Sequence, residues 1–147
     1  MAGAMVSAMR QARHEITVMT KGQGLYEITG EASHFVAMTE IALGQLTLFV
    51  RHTSASLLIQ ENADPDVRRD LMEFFRRVAP ENASWITHRS EGPDDMPAHI
   101  RTALTQVSLT IPVGEGQLML GTWQGIYLFE HRTRPHRRKV LLHVIGE

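Results

Sequence analysis

Residues 108–145, SLTIPVGEGQLMLGTWQGIYLFEHRTRPHRRKVLLHVI, decide the fold because they carry four apolar runs joined by short turns. The runs are SLTIPV, QLMLGTW, GIYLFEHR and KVLLHVI, and each has the length and pattern of a β-strand. The glycine-rich segment 114–116 between the first two predicts a tight hairpin. This end of the chain therefore predicts strands paired largely antiparallel.

The upstream part adds four more strand signals, in the segments HEITVMT, GLYEIT, QLTLFVR and SLLIQ. Between them, Phe35, Met38 and Ile41 recur near helical spacing, which predicts a helix over residues 33–42 with Ser33 as its N-cap. Strands that outnumber helices in this order indicate an α+β fold.

The clearest helix signal begins at Asp64, a plausible N-cap that is followed by Pro65 at the first helical position. An apolar face then recurs at Val67, Leu71, Phe74, Phe75 and Val78. A shorter helix follows residues 87–95, and there Asp95 is the predicted cap. We therefore expect antiparallel β-sheets packed as a sandwich with two or three short helices. Residues 13–147 form one predicted domain after a flexible segment over residues 1–12.

Composition limits the functional classes. The chain has 147 residues, no cysteine and a net charge of −1. Such a chain has no disulfide framework and no overall attraction to nucleic acid or membranes, so neither is an expected partner. The first residues lack the features of a signal peptide, and no segment approaches the length of a membrane span. We expect a soluble, cytoplasmic protein.

Polar chemistry interrupts the predicted core sheet at HTSAS, residues 52–56. His52 lies at the end of the alternating strand QLTLFVR, beside hydroxyl groups that are able to fix its tautomer. Ser54 and Ser56 favour a small anion-binding pocket. The competing interpretation is a strand end with a local hydroxyl network.

A second polar segment, HRSEGPDDMPAH, has His88 and His99 at its ends and carboxylates between them. Two imidazoles and several carboxylates within twelve residues suit a divalent ion or a proton relay, although their spacing matches no standard zinc signature. Glu61 and Asn62 supply further oxygen atoms of the kind that Mg²⁺ prefers. The alternative is that the carboxylates cap the helix and the histidines are solvated.

Two further segments suit ligand binding. Trp123 and Gln124, between glycines, form an indole–amide pair able to hold a planar heterocycle, or else a core tryptophan at a β-bulge. Arg137 and Arg138 belong to a cluster of five cations over residues 130–139 that suits phosphate or pyrophosphate. No aromatic residue is interleaved there for base stacking. The competing interpretation is a solvated, exposed turn.

The segments HTSAS…QENADPDVRRDL, H-x-x-EGPDDMPAHI, SLTIPV and LGTWQGIYLFEHR…RRKVLLHVIGE together resemble the YjbQ family, whose members are described as secondary thiamine-phosphate synthase enzymes. The resemblance runs in order from about residue 14 to Glu147. It implies a compact α+β homotrimer and a reaction that joins a pyrimidine pyrophosphate to a thiazole phosphate and releases pyrophosphate. The motif residues carried over by position are His52, Ser54, Ser56, Glu61, Asn62, His88, Glu91, Asp94, His99, Trp123, Gln124 and Glu130.

From the residues and the resemblance we predict that His52, His88 and His99 converge on one polar cleft lined by Glu61, Asn62 and the two serines. The three imidazoles form the predicted site for Mg²⁺ or Zn²⁺. His52 is the predicted general acid/base or ligand, and a phosphorylated small molecule is the predicted substrate. The alternatives are a non-catalytic trimeric protein that binds a metal or a phosphate ligand, and a scaffold in which these side chains hold the trimer together.

Overall fold

The computed structural model describes residues 8–147, which form three helices and two antiparallel sheets. In chain order the elements are β1 (Arg10–Met19), β2 (Gly24–Glu27), α1 (Thr29–Thr39), β3 (Gly44–Val50), β4 (Ala55–Glu61), α2 (Pro65–Val78), α3 (Asp95–Leu104), β5 (Ser108–Gly114), β6 (Gln117–Leu118), β7 (Gln124–Glu130) and β8 (Arg137–Gly146). Sheet A has the strand order β1-β8-β3-β5-β6, and sheet B has the order β2-β7-β4. The predicted α+β sandwich is confirmed.

The core lies between the two sheets and follows from the alternation of side chains along each strand. Leu46, Leu48 and Val50 of β3 point inward from sheet A and are almost fully buried. Ile126 and Leu128 of β7 meet them from sheet B. Because alternate residues of a strand face opposite sides, each sheet contributes every second side chain to this layer.

Helix α2 covers the outer face of sheet B. The ring of Phe75 packs edge-on against Phe129 of β7, with centroids 5.2 Å apart. The guanidinium of Arg68 lies 5.9 Å from the centre of the Tyr127 ring. Sheet B is therefore covered on both faces, which explains why six consecutive residues of β7, Gly125–Glu130, are buried.

The start of α2 follows the predicted local chemistry. The side chain of Asp64 accepts a hydrogen bond from the backbone N–H of Asp66 at 2.9 Å, and Pro65 is the first helical residue. Helix α1, by contrast, begins at Thr29, so the prediction of Ser33 as N-cap is wrong. Thr29 accepts a hydrogen bond from the backbone N–H of Ile126, a contact across 97 residues that periodicity does not reveal.

The predicted hairpin at residues 114–116 is confirmed. Glu115 and Gly116 both have positive φ, 52° and 75°, as a type I′ turn requires. At the other end of the chain, residues 10–12 of β1 pair with residues 144–146 of β8, so the sheet begins before the expected boundary at residue 13. The remaining part of the predicted flexible segment, residues 1–7, lies outside the described residues. Within residues 8–147, no helix is long and apolar enough to span a membrane.

Candidate metal centre

Helix α3 and the loop before it bring His88, Asp95 and His99 together. Asp95 and His99 are four residues apart on α3 and therefore share one face of the helix. One ligand atom from each of the three side chains lies within 4.8 Å of the others. In the part of the chain that the structure describes, no other group of three such residues is this close. This cluster is the candidate metal centre.

Asp95 is the anchor of the centre. Its side chain is only 2% exposed, and its Oδ2 lies 2.6 Å from Nε2 of His88. Without a metal a proton occupies this contact, and a bound metal takes the place of that proton. Oδ1 of Asp95 accepts a hydrogen bond from Nη1 of Arg132 at 2.7 Å. Burial acts to raise the pKa of Asp95, but the His88 hydrogen bond and the charge of Arg132 outweigh it and hold that pKa below its usual value. The carboxylate is therefore ionised at neutral pH.

Arg132 links the centre to a second carboxylate, Asp94. Its Nε donates to Oδ2 of Asp94 at 2.9 Å, and the backbone N–H of Thr133 donates to the same oxygen at 3.0 Å. Burial acts to raise the pKa of Asp94, and these hydrogen bonds outweigh it, so this pKa also lies below its usual value. The guanidinium is held between Asp94 and Asp95, and it fixes the orientation of the Asp95 carboxylate.

The ring orientation of His99 suits metal ligation. Nδ1 of His99 lies 3.1 Å from the carbonyl oxygen of Thr53, and because a carbonyl only accepts, Nδ1 carries a proton. Nε2 then faces Oδ2 of Asp95 at 3.3 Å. A protonated ring donates Nε2–H to this oxygen, whereas a neutral ring offers the Nε2 lone pair to a cation that the carboxylate also binds. A metal-ligating histidine typically has its other ring nitrogen bound to a carbonyl in this way.

The donor set therefore fits a divalent metal. Two imidazoles and one carboxylate are a common catalytic zinc set, in which a fourth position stays open for water or substrate. Imidazole nitrogen favours Zn²⁺ over Mg²⁺, which prefers oxygen ligands. The side chains of His88 and His99 are 43% and 32% exposed, so the centre is reachable from solvent.

His52 lies outside this cluster, so the predicted three-histidine set differs from the group that the structure brings together. Its Nε2 accepts a hydrogen bond from the backbone N–H of Lys139 at 3.1 Å. Burial, together with the charge of Arg138, lowers the pKa of His52. The third side chain of the group, with His88 and His99, is Asp95 and not His52. His52 instead lines a groove that it shares with His99.

The two serines predicted to bind an anion make hydrogen bonds within the protein instead. Oγ of Ser54 accepts from Nη2 of Arg138 at 2.9 Å. Ser56 is fully buried, and its Oγ lies 2.8 Å from Nε2 of His131 and 2.7 Å from Oγ1 of Thr105. The competing interpretation of HTSAS, a hydroxyl network at a strand end, describes these two residues better than an anion pocket does.

The residues Glu61, Asn62, Trp123 and Gln124 lie at the opposite end of sheet B from the candidate metal centre. Glu61 pairs with Gln124 at one end of the β4–β7 ladder, whereas Ala55 pairs with Glu130 at the other. Seven residues of strand span roughly 20 Å. Within one chain these four residues therefore do not line the cleft that the sequence predicted.

At that far end, the same residues hold a turn in place. Oε2 of Glu61 accepts from the backbone N–H of Asp64, and Nδ2 of Asn62 donates to Glu27. The Gln124 side chain accepts from the backbone N–H of Gly121 at 2.8 Å. Trp123 is 62% exposed, so it is not the core tryptophan of the alternative interpretation.

Of the two arginines predicted to bind phosphate, Arg137 is exposed and Arg138 is buried. Arg137 is exposed at the start of β8. Arg138 is 5% exposed, and its Nε and Nη2 donate to the two carboxylate oxygens of Glu130 at 2.5 and 2.6 Å. Its guanidinium is therefore not available to an anion.

The predicted three-histidine set left out Asp95, although the sequence had placed it among the carboxylates between His88 and His99 that suit a divalent ion. The structure makes Asp94 the N-cap residue of α3 and gives it no side-chain cap hydrogen bond, so the prediction of Asp95 as cap is wrong. The available signal was the spacing Asp95-x-x-x-His99, which puts both groups on one helical face. The roles of Arg132 and of the Thr53 carbonyl had no local signal.

One buried cation remains without a partner. Arg101 of α3 is 2% exposed, and among the described residues neither its Nε nor its Nη1 has a hydrogen-bond acceptor. Burial lowers the pKa of this guanidinium. We expect Arg101→Met to raise the free energy of unfolding by about 1–3 kcal/mol, because it removes an uncompensated buried charge. Urea denaturation measures this, with Arg101→Lys as the charge-retaining control; a lower midpoint for the methionine variant would contradict it.

Known sequences match nearly the whole length of this chain. A family model described as UPF0047 protein YjbQ-like matches residues 14–147. A UPF0047 protein of Synechocystis sp. is 50% identical over 141 residues, which cover 96% of each protein. The UPF0047 protein YjbQ of Escherichia coli O157:H7 is 41% identical over 133 residues, covering 90% of this chain and 96% of that protein.

Solved structures have the same fold. A YbjQ-like protein of unknown function from Sulfolobus solfataricus P2 superposes with a TM-score of 0.88 at 26% identity, over 95% of this chain and 100% of that one. An uncharacterised YjbQ/UPF0047 family protein of Clostridium acetobutylicum gives a TM-score of 0.82 at 34% identity, over 89% of this chain and 98% of that one.

Proposed function

This chain belongs to the YjbQ-like UPF0047 family, and from that premise we propose that it is a metal-dependent enzyme acting on a phosphorylated small molecule at the His88–Asp95–His99 centre. The observation that carries the proposal is the convergence of His88, Asp95 and His99, one ligand atom of each lying within 4.8 Å of the others. Three protein ligands that leave a fourth position to water or substrate are typical of catalytic rather than structural metal sites.

The candidate reaction is of the thiamine-phosphate synthase type, the joining of a pyrimidine pyrophosphate to a thiazole phosphate. When bound, the metal supplies positive charge that neutralises the departing pyrophosphate. Asp95 holds its ligand geometry because Arg132 fixes its second oxygen. The pyrophosphate takes the bonding electron pair as it leaves, so cationic side chains near the centre favour its departure.

A polar groove beside the centre supports a phosphorylated substrate. It has a volume of about 520 Å³, and Ser90, Arg132, Thr133 and Arg134 line it together with the carboxylates Glu81, Glu91 and Asp94. Asp94 is already paired with Arg132. Arg134 forms none of the described ion pairs, in contrast to Arg132 and Arg138. We assign Arg134, instead of Arg137 and Arg138, as the guanidinium that contacts a phosphate group.

A titration of metal-stripped protein tests the proposal. Zn²⁺ and Mg²⁺ are added separately, binding is measured by calorimetry, and pyrophosphate release is measured with the pyrimidine pyrophosphate and the thiazole phosphate. We expect tight Zn²⁺ binding, zinc-dependent turnover, and a loss of roughly 100-fold or more in Zn²⁺ affinity for Asp95→Asn, because a direct ligand weighs at least as much as the outer groups. The matched control is Asp70→Asn on α2, which keeps full affinity.

Each alternative has its own outcome in this experiment. Zinc binding without turnover supports a non-catalytic binding protein and counts against the enzyme. Asp95→Asn protein that unfolds or dissociates supports the scaffold. Absence of zinc binding by the wild-type chain overturns the metal centre altogether.

We also propose that the chain assembles as a homotrimer. Strands β1 and β6 end sheet A, and β2 and β4 end sheet B, which leaves backbone edges that proteins usually cover. A closed ring of identical interfaces covers such edges. Light scattering after size exclusion should give three times the 16.6 kDa mass of the chain; a monomer mass at micromolar concentration would contradict it.

A further inference from the structure

An apolar groove adjoins the candidate metal centre at His99. It has a volume of about 460 Å³ and lies between the end of β3 and the end of α3. Phe49, Ala103 and Val107 contribute to its apolar wall, and His52 and His99 are its imidazoles. A groove of this size, mostly apolar with a few converging polar groups, is the usual form of a small-molecule site.

Phe49 is the aromatic surface of this groove. It lies on β3 between the buried core residues Leu48 and Val50, and its side chain points away from the core. It is 42% exposed. A ring that lies flat against it would remove apolar surface from water, and offset stacking adds to that gain.

The polar end of the groove suits the atoms next to such a ring. Because Nε2 of His52 accepts from the backbone of Lys139, its Nδ1 carries the proton of the neutral imidazole. Nδ1 takes part in no hydrogen bond between described residues, so it is free to donate to a ligand. Arg51 lines the same groove, and its side chain is 62% exposed and lies 4.0 Å from the carboxylate of Glu15.

We propose that this groove binds a planar, apolar ring of the substrate while the anionic group of the same molecule lies at the His88–Asp95–His99 centre. This inference rests on the proposed function and specifies its substrate class as aromatic phosphate esters or their close analogues. His99 is the point of contact between the two parts, because it lines the groove and belongs to the centre. Phe49 is then the specificity-determining residue.

The test compares two phosphate monoesters that differ only in the attached group. Zinc-loaded protein is titrated by calorimetry with phenyl phosphate and with methyl phosphate. We expect phenyl phosphate to bind roughly tenfold more tightly or better, because the ring loses water-exposed apolar surface in the groove. In Phe49→Ala the preference should fall to near parity, with the methyl phosphate affinity unchanged.

The matched control is Phe74→Ala, which removes an exposed phenyl ring of α2 outside the groove and should keep the full preference. Equal affinities in the wild type, an equal loss of both ligands in Phe49→Ala, or no binding of either ester by zinc-loaded protein would overturn the inference while the metal centre stands. Failure of zinc itself to bind would overturn both proposals, and measuring zinc binding first tells the two cases apart.

Discussion

Arg138→Met is expected to lower the free energy of unfolding by about 3–5 kcal/mol, because it leaves the Glu130 carboxylate buried without its cation. Glu130 is fully buried, and both of its oxygens accept from Arg138. Methionine fills a similar volume, so the loss reports the charge rather than a cavity. Urea denaturation at pH 7 measures the effect as a shift in midpoint at constant m-value.

Two further variants isolate this ion pair. Arg76→Met removes an exposed cation that is paired with Glu73 on α2, and it should leave the urea midpoint close to that of the wild type. The double variant Glu130→Gln/Arg138→Met should be more stable than Arg138→Met alone, because it removes the buried negative charge, and the amide oxygen is still able to accept from the backbone N–H of Arg132 while the amide NH2 donates to Oγ1 of Thr20. If the free energy of unfolding of Arg138→Met lies within about 1 kcal/mol of the wild-type value, the buried pair contributes little to stability.

The strands and α2 were predictable because their signals are local. Alternation along residues 108–113 and 140–144 reflects a sheet with one face in the core, and the capping chemistry at Asp64 requires only its own neighbours. The start of α1 was not predictable, because Thr29 is fixed by Ile126 from a distant strand. Local chemistry decides a boundary only where no tertiary contact competes with it.

The candidate site was predictable at the level of segments, and only partly at the level of residues. The sequence predicted that HRSEGPDDMPAH suits a divalent ion or a proton relay, and the structure brings His88 and His99 of this segment together with Asp95. It grouped them with His52, Glu61 and Trp123, because a linear motif does not say at which end of a strand its residues lie. The register Ala55↔Glu130 and Glu61↔Gln124 separates these groups along β4.

The basic loop illustrates the same point for charge. The sequence predicted a phosphate site from its five cations taken together, but the structure gives these cations different partners and different exposure. Arg132 is held by Asp94 and Asp95 from a distant part of the chain, and Arg138 by Glu130 at the end of β7. Which cations of a cluster stay free depends on which carboxylates the fold brings to them, and composition does not contain that information.

Because of His131, the free energy of unfolding is expected to decrease as the pH falls below 6.5. This pH lies well above the range in which carboxylates titrate. It is fully buried, and burial, with the charges of Arg101 and Arg138, lowers its pKa to about 3 from the usual 6.5. Between these two values the unfolded chain binds a proton that the folded protein does not. Stability from this group is therefore complete above pH 6.5 and is lost as the pH falls, by about 1.4 kcal/mol per pH unit.

Urea denaturation between pH 7.5 and 4.5 should therefore show a loss of roughly 2–3 kcal/mol in the wild type. In His131→Gln, whose amide is able to hydrogen-bond Ser56 in place of the imidazole, the slope should flatten by about one proton. His143→Gln removes an exposed imidazole of β8 and should keep the wild-type slope. If the glutamine variant does not fold, the NMR titration of the His131 ring in the wild type decides, because a ring that protonates near pH 6.5 would contradict the argument. Arg101→Met should raise the pKa of His131, since it removes the larger of the two charge effects that oppose protonation.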